Sequence, residues 1–503
     1  MASFAFSWYL FLFLWRLQNS LVSATVNASG TTPCLAISSA LPGKVFFQEN
    51  TAYVSSLGSY YSAQEEEINP ACVVIPTCTA DVSTALVILN DIHSSNSSSG
   101  GFAIRSGGHG IFAGDANIEN GVTIDLSQFN STDFIQPDKS VVRIGAGARW
   151  TTVYEVLDPY NLTVLGGRTP SVGVGGYLPG GGLSFLSQRF GWACDAENTI
   201  GYEVVLASGQ VVYANASGPY SDLFLALKGG LNNLGIVTRF DMTTYSLGQM
   251  WGGFVLYPIA ILDSMLSAYS DFMDPDNYDR DADMVFAVGY LNPGWVPILN
   301  LGMQYTKPVA DPPVFRSLYN ASVAEDDTMR IASLTNITAE EDAHNPSGYR
   351  QIYMTSTFAH TPEIYARAWD LFNSSADQVF AVANITYVFI LQPTPILNGT
   401  NSLGLNASDI RLNIALVSVS WTNSEDDELV TNTVTDFFTA LKALATDSSV
   451  DRDFIYANYA YKTQDPIDGY GAENKARLQA ASKKYDAGGL FQTGVPGGFK
   501  LFV

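Results

Sequence analysis

Two glycine-rich segments, about sixty residues apart, constrain most strongly what this chain of 503 residues can fold into. Residues 105–110 read Arg-Ser-Gly-Gly-His-Gly, and residues 166–182 contain eight further glycines. Glycine accepts a positive φ and lets backbone N–H groups approach an anion without an intervening side chain. Two such segments facing each other can enclose a pyrophosphate and an adjoining flat ring. A third glycine-rich segment, 228–238, leads into a strand.

The motifs of several other enzyme classes are missing. The sequence contains no GxxxxGK[ST], no HExxH and no GxSxG. Gly173-Val-Gly175 begins like a dinucleotide-binding fingerprint, but Leu178 occupies its third glycine position. These absences argue against a P-loop, a zinc protease, an α/β-hydrolase and a Rossmann site.

The hydrophobic pattern predicts an α+β fold. From Cys72 to Leu247, short β-rich runs alternate with helices, for example a strand over 102–105 after a helix over 81–92. Between about 248 and 450, long β runs separated by helices predict an antiparallel sheet covered by helices. The pattern therefore divides the chain into segments over 68–247, 248–450 and 451–503.

The charge balance excludes one class of partner. Charged residues make up 15% of the chain, and 48 acidic against 25 basic residues give a net charge of −23. Such a field repels phosphate backbones and anionic lipid. We expect no nucleic-acid partner.

The N-terminus and the glycosylation motifs predict a protein that is secreted or stays within the secretory pathway. Residues 1–24 contain an apolar run from Phe4 to Trp15 and end on Val22-Ser23-Ala24, as expected of a cleaved signal peptide. A buried N-terminal helix and a signal anchor are the alternatives. No later run is long enough to span a bilayer, so we expect no stable membrane insertion after cleavage. Eleven N-x-S/T motifs fit a glycosylated surface; their asparagines are Asn27, Asn96, Asn130, Asn161, Asn215, Asn320, Asn336, Asn373, Asn384, Asn398 and Asn406.

Four cysteines are present, and none has metal-ligand spacing. In an oxidising compartment, Cys34 is expected to bond either Cys72 or Cys78, a choice that the sequence leaves open. The histidines other than His109 have no partner at metal spacing, so we predict no metal site.

Several motifs together resemble one family, the berberine-bridge-enzyme-like branch of the FAD-linked oxidases. Its flavin domain, made of two subdomains, is shared with p-cresol methylhydroxylase and vanillyl-alcohol oxidase. The resemblance implies that 68–247 is the FAD-binding domain, 248–450 a substrate domain and 451–503 a segment that returns to the flavin. The resemblance extends over about residues 68–495 and rests on Arg105-Ser-Gly-Gly-His109, Val172-Gly-Val-Gly-Gly176, Gly180-Gly-Gly182, Gly229 to Thr238, Tyr456-Ala-Asn-Tyr459 and Lys483-Lys-Tyr-Asp486. The low charge, glycosylation motifs and secretory start further resemble fungal members from secondary-metabolite clusters.

The resemblance implies an FAD cofactor bonded to His109. Many relatives bond the flavin a second time through a cysteine, and Thr169 stands at that position here, so we expect attachment through His109 only. The remaining residues implied to contact the cofactor are Arg105, Ser106, Gly107, Gly108, Gly110, Thr169, Val172, Gly173, Gly175, Gly176, Gly180, Gly181, Gly235, Ile236, Val237 and Asn458.

The resemblance also implies a catalytic base in the tail. Tyr456 is the first candidate and Tyr459 the second, since oxidation of an alcohol or amine needs a group that takes a proton as hydride leaves. Relatives often carry a tyrosine and an acidic residue where this chain has Leu183 and Ala460. Arg168 is expected either to stabilise an anionic reduced flavin or to pair with a carboxylate.

The implied activity is that of an oxidase. It passes hydride from an alcohol or amine carbon of a small substrate to flavin N5, with O₂ as reoxidant and H₂O₂ as product. Val172, which resembles a residue near the oxygen-reactive carbon of the flavin, favours an oxidase over a dehydrogenase. A carbohydrate oxidase and a flavin-carrying glycoprotein without turnover are the alternatives.

Overall fold

The computed structural model describes residues 28–95, 101–395, 401–406, 409 and 411–502. The predicted signal peptide over 1–24 lies outside these residues, as do Asn27, Asn96 and Asn398. In the part of the chain described, no helix is long and apolar enough to cross a bilayer.

Two sheets form the N-terminal half of the fold. The first, a four-stranded mixed sheet, has the order Val45–Phe46, Cys72–Val74, Val122–Asp125 and Phe102–Arg105. The second, a five-stranded antiparallel sheet, has the order Thr132–Phe134, Val141–Gly145, Ile236–Thr243, Thr199–Val205 and Val211–Asn215. A two-stranded ribbon joins Leu162–Thr163 to Tyr245–Ser246.

The third sheet has nine strands, all antiparallel. Its order is Asp326–Asp327, Met250–Tyr257, Val296–Tyr305, Ala282–Leu291, Thr386–Pro393, Asn413–Trp421, Arg350–Phe358 and Asp451–Arg452, and Arg330–Ala332 pairs with Met250–Tyr257. The expected antiparallel sheet is therefore present. The strand Thr386–Pro393 follows a turn in which the N–H of Val382 donates to the carbonyl of Val379.

Fifteen α-helices accompany the sheets in the described residues. They are Ala28–Ala40, Thr51–Leu57, Ala63–Glu66, Thr79–Ser95, Trp150–Leu157, Val174–Tyr177, Ser187–Phe190, Ser221–Ala226, Leu262–Met273, Arg316–Tyr319, Leu334–His344, Ile364–Ala376, Asp427–Asp447, Pro466–Gly469 and Ala472–Tyr485. The helix predicted over 81–92 extends over Thr79–Ser95, and it buries the apolar residues whose spacing indicated it, Val82, Ala85, Leu86 and Leu89.

Two hydrophobic cores hold these layers together. One core unites the first two sheets with the tail, which contributes Phe454, Tyr456 and Leu490. The other lies between the nine-stranded sheet and the helices Leu262–Met273, Ile364–Ala376 and Asp427–Asp447. The fold is thus α+β, as the sequence indicates, and the residue boundaries of the domains stay predictions.

A disulfide fixes the first helix to the mixed sheet. Cys34, in the helix Ala28–Ala40, is bonded to Cys72 at the start of the strand Cys72–Val74. Of the two pairings that the sequence left open, the structure has this one. Cys78 is exposed and Cys194 is buried, each as a free thiol.

Candidate active site

A cavity of about 360 Å³ brings together residues from all three glycine-rich segments, the nine-stranded sheet and the tail. Most of the residues singled out from the sequence line it: Ser106, Gly107, Gly108, His109, Gly110, Thr169, Val172, Gly173, Gly175, Gly176, Gly235, Ile236, Val237, Tyr456, Asn458 and Tyr459. Segments that are far apart in sequence therefore share one wall.

The first two glycine-rich segments cross with their backbones in contact. A Cβ on Gly107 would lie 2.6 Å from the Cα of Gly173, and a Cβ on Gly173 would lie 2.4 Å from the nitrogen of Gly107. Arg149 clamps the crossing, since its guanidinium donates to the carbonyls of Ser171 and Gly107, each at 2.5 Å. Only glycine fits at this crossing, which explains why both segments carry it.

Three of the residues expected to contact the cofactor do not line the cavity. Arg105 is buried beneath the first segment, where its guanidinium donates to the hydroxyl of Ser59 at 2.6 Å. Gly180 lies against the tail, so that a Cβ there would come 1.8 Å from Oδ1 of Asn458. Gly181 has a φ of +116° and is likewise enclosed by side chains. These three residues support the cavity wall and do not form it.

The imidazole ring of His109 lines the cavity, stacked on a neighbouring ring and uncharged. Its ring stacks on Tyr61 with centroids 3.8 Å apart and an angle of 11° between the planes. Burial, with the positive charge of Arg149, lowers the pKa of His109 to about 3. The imidazole is therefore neutral at physiological pH and keeps a nucleophilic nitrogen lone pair.

The two tail tyrosines have different surroundings. The hydroxyl oxygen of Tyr456 accepts hydrogen bonds from the N–H of Leu183 at 3.1 Å and from Nδ2 of Asn458 at 3.0 Å. Burial raises the pKa of Tyr456. The hydroxyl of Tyr459 instead accepts a hydrogen bond from Nη2 of Arg168 at 2.8 Å and donates to Oε1 of Gln392 at 3.4 Å. Of the two tyrosines, Tyr459 is thus the one whose hydroxyl is hydrogen-bonded to a cation.

Arg168 lines the cavity and forms an ion pair with a buried carboxylate. Its Nη1 lies 3.4 Å from Oδ2 of Asp283, and its Nη2 also donates to Gln392. Burial alone lowers the pKa of Arg168, but Tyr459 and Asp283 together raise it above its ordinary value. Burial raises the pKa of Asp283 to about 6. Of the two roles expected for Arg168, pairing with a carboxylate is the one seen, and the guanidinium still lines the cavity.

Sequence reasoning missed several polar residues of this cavity, among them three that come from the nine-stranded sheet and from one helix. Gln392 and Tyr353 come from strands of the nine-stranded sheet, and Glu341 comes from the helix Leu334–His344. Burial raises the pKa of Glu341 to about 7. The side chain of Glu341 therefore exchanges a proton near neutral pH. Nothing in the local sequence marks these positions, because strand pairing and helix packing bring them to the cavity.

Three positions that the family resemblance marks as unusual also lie here. Thr169, Leu183 and Ala460 all line the cavity, as does Val172. Within this set no side chain carries a charge or a thiol. The charged and polar chemistry of the cavity therefore comes from other residues, among them Tyr459, Arg168 and Gln392.

Comparison with known proteins gives three kinds of match. The model of the FAD binding domain family matches residues 70–215. FAD-dependent monooxygenase drtC of Aspergillus calidoustus is 37% identical over 475 residues, which cover 92% of this chain and 88% of that protein. BBE-like 1 of Physcomitrella patens superimposes with a TM-score of 0.73 at 20% identity, covering 93% of this chain and 98% of that structure.

One further solved structure shares the fold and has a defined flavin attachment. Glucooligosaccharide oxidase of Acremonium strictum contains a 6-S-cysteinyl, 8α-N1-histidyl FAD. It superimposes with a TM-score of 0.71 at 19% identity and covers 94% of this chain and 99% of that one. The sequence matches, the shared fold and the glycine-lined cavity agree with one another. The chain belongs to the family of FAD-dependent oxidoreductases that includes drtC, and it has the fold of the berberine-bridge-enzyme-like structures.

Proposed function

We propose that this protein is an FAD-linked oxidase that takes hydride from an alcohol or amine carbon of a small secondary-metabolite substrate. The observation that carries the proposal is the contact between the Tyr459 hydroxyl and the Arg168 guanidinium at 2.8 Å, inside a cavity lined by the glycine-rich segments. This contact places a proton acceptor beside a fixed positive charge. Removal of hydride from such a carbon requires a proton acceptor.

The glycine-lined wall of the cavity offers features that suit FAD. At Gly176 a Cβ would meet no protein atom within 4 Å, so the space in front of this glycine is open to a ligand. Gly107, Gly108 and Gly175 line the same wall. Backbone N–H groups without side chains suit the pyrophosphate of the cofactor.

Replacing Gly176 with leucine is expected to lower the amount of FAD bound at least several-fold while the chain still folds. The leucine side chain would occupy the open space at this wall. The measurement is the ratio of flavin to protein absorbance in the purified chain, together with its melting temperature. Gly488→Leu is the matched control, since a Cβ there also meets nothing within 4 Å but lies away from the cavity. Equal flavin content in both variants would contradict this placement of the cofactor.

We propose that FAD is attached through His109 and through no second residue. The neutral, stacked imidazole of His109 is a suitable nucleophile, whereas the hydroxyl of Thr169 has no thiolate chemistry. Glucooligosaccharide oxidase, in which FAD has both a cysteinyl and a histidyl bond, supports the histidyl half of this assignment.

In the proposed reaction, Tyr459 takes the proton from the substrate hydroxyl or amine. Tyr459 accepts this proton as its phenolate, whose negative oxygen Arg168 stabilises; in the protonated form, the hydroxyl hydrogen of Tyr459 is donated to Gln392. When bound, FAD supplies the two-electron acceptor that receives the hydride and that O₂ reoxidises. Burial of Arg168 and Asp283 keeps water away from this pair of charges.

The decisive experiment follows the fate of oxygen. With a panel of small alcohols and amines, an oxidase forms one H₂O₂ for each product molecule and leaves no label from ¹⁸O₂ in the product. The relative from Aspergillus calidoustus is named a monooxygenase, and that reaction would place one labelled atom in the product. Turnover confined to oligosaccharides would favour a carbohydrate oxidase. Flavin that no substrate reduces would favour a carrier without turnover.

We propose further that the protein enters the secretory pathway and is N-glycosylated. Of the eight motif asparagines in the described residues, seven are exposed and Asn215 is half-buried, so none is buried. We expect enzymatic removal of N-glycans to lower the mass of the secreted chain. A secreted chain of unchanged mass would refute glycosylation, and a chain retained in the cytosol would refute secretion.

A further inference from the structure

His109 forms part of the wall between two cavities. It lines both the cavity described above, of about 360 Å³, and a second, polar cavity of about 440 Å³. The second cavity is lined by Tyr61, Arg149, Ser171 and Asp342, as well as by His109 itself. The second cavity thus gives one edge of the imidazole a polar environment.

A hydrogen-bonded chain reaches His109 from the second cavity. The hydroxyl of Ser171 donates to Oδ1 of Asp342 at 2.7 Å, and the backbone N–H of Ser171 approaches the same oxygen at 3.3 Å. The Ser171 oxygen lies 3.4 Å from Nε2 of His109. Because its hydrogen is given to the carboxylate, this oxygen can only accept from the ring, so the proton of the neutral imidazole belongs on Nε2.

The tautomer decides which nitrogen can react. With the proton on Nε2, the lone pair of the neutral ring is on Nδ1, so Nδ1 is the nucleophilic atom. Tyr61 stacks on the ring and limits its rotation, while the charge of Arg149 disfavours a second proton. Asp342 comes from the helix Leu334–His344, far in sequence from both glycine-rich segments.

We propose that Ser171 and Asp342 are positioning residues for cofactor attachment, holding His109 with Nδ1 reactive and receiving the Nε2 proton when the bond forms. The inference rests on the proposed attachment through His109. In that reaction a bond forms between Nδ1 and the 8α carbon of FAD, and one C–H bond of the methyl group breaks with loss of a proton. Two electrons remain on the flavin and pass to O₂, which yields H₂O₂. The carboxylate of Asp342 stabilises the positive ring until its proton leaves.

The test measures the rate of covalent attachment in the full-length chain supplied with FAD and O₂. Samples taken over time are precipitated in acid, and the flavin in the pellet is compared with the flavin released. We expect Asp342→Asn and Ser171→Ala to slow attachment roughly 10- to 100-fold. This is the size of the effect at metal sites when the partner that orients a metal-bound imidazole is lost. Ser171→Thr, which keeps the hydroxyl, should restore most of the rate.

Two controls separate positioning from a loss of structure. Glu340→Gln removes one negative charge from the same helix at a residue that pairs with Arg330 instead, and it should attach flavin at the rate of the unmodified chain. Total bound FAD and the melting temperature should stay unchanged in the Ser171 variants. A normal attachment rate in Asp342→Asn would overturn the inference. If that variant fails to fold, equal rates in Ser171→Ala and Ser171→Thr would overturn it.

The same measurements distinguish the two proposals. An unmodified chain whose flavin is fully released by acid would refute attachment itself, and the inference would fall with it. An unmodified chain with bound flavin, matched by every variant, would refute only the roles of Ser171 and Asp342.

Discussion

His109→Ala is expected to abolish covalent flavin while leaving a folded chain that binds FAD reversibly. Once the imidazole is absent, the cavity has no other nucleophile at this position, because Thr169 carries a hydroxyl. After acid precipitation, the yellow colour should move from the pellet to the supernatant. A proteolytic peptide that contains residue 109 should also lack the flavin mass.

His344→Ala is the matched control for this prediction. His344 is exposed and packs edge-on against Phe254, with ring centroids 4.6 Å apart, outside the lining of the cavity. Its variant should keep the colour in the pellet. Covalent flavin that persists in His109→Ala would mean that another residue forms the bond.

Tyr459→Phe is expected to slow reduction of the flavin by substrate about 10²- to 10⁴-fold, the effect of losing a positioned general base. The phenol oxygen beside the guanidinium of Arg168 is removed, while the ring and its packing remain. Anaerobic single-turnover mixing, followed by the loss of flavin absorbance, measures this step directly. Reoxidation of the reduced flavin by O₂ should be little affected.

Tyr456→Phe is the companion variant, because Tyr456 lies in the same tail segment, with its ring centroid 4.8 Å from that of Tyr459. Its hydroxyl accepts two hydrogen bonds, from Leu183 and Asn458 and not from Arg168, so the reduction rate should fall much less. A larger loss in Tyr456→Phe than in Tyr459→Phe would return the role of base to Tyr456.

The parts of the site that the sequence predicts well are those in which the backbone itself makes the contact. At the crossing of Gly107 and Gly173 no other residue fits, so the need for glycine is visible in the sequence. His109 is recognisable for the same reason, since its neighbours on the chain are these glycines. The α+β class is equally readable, because the period of buried residues changes from helix to strand along the chain.

What the sequence does not contain are the distances between remote segments. The choice between Tyr456 and Tyr459 depends on Arg168, which lies far from both in sequence. Asp342 comes to the neighbourhood of His109 only through helix packing. Arg105 is the opposite case, because the sequence motif suggests a cofactor contact that the structure does not place at the cavity. Its guanidinium points into the protein beneath the motif.

The contact between Gly180 and Asn458 also bears on when the enzyme becomes competent. The tail contributes to the first core and to the cavity wall, and Nδ2 of Asn458 donates to the carbonyl of Tyr177 at 3.0 Å. A ribosome releases the glycine-rich segments long before it releases this tail. A growing chain can therefore begin to shape the cofactor site while it still lacks the proposed base. The proposed base would therefore take its place last, after the strands of the nine-stranded sheet have been made.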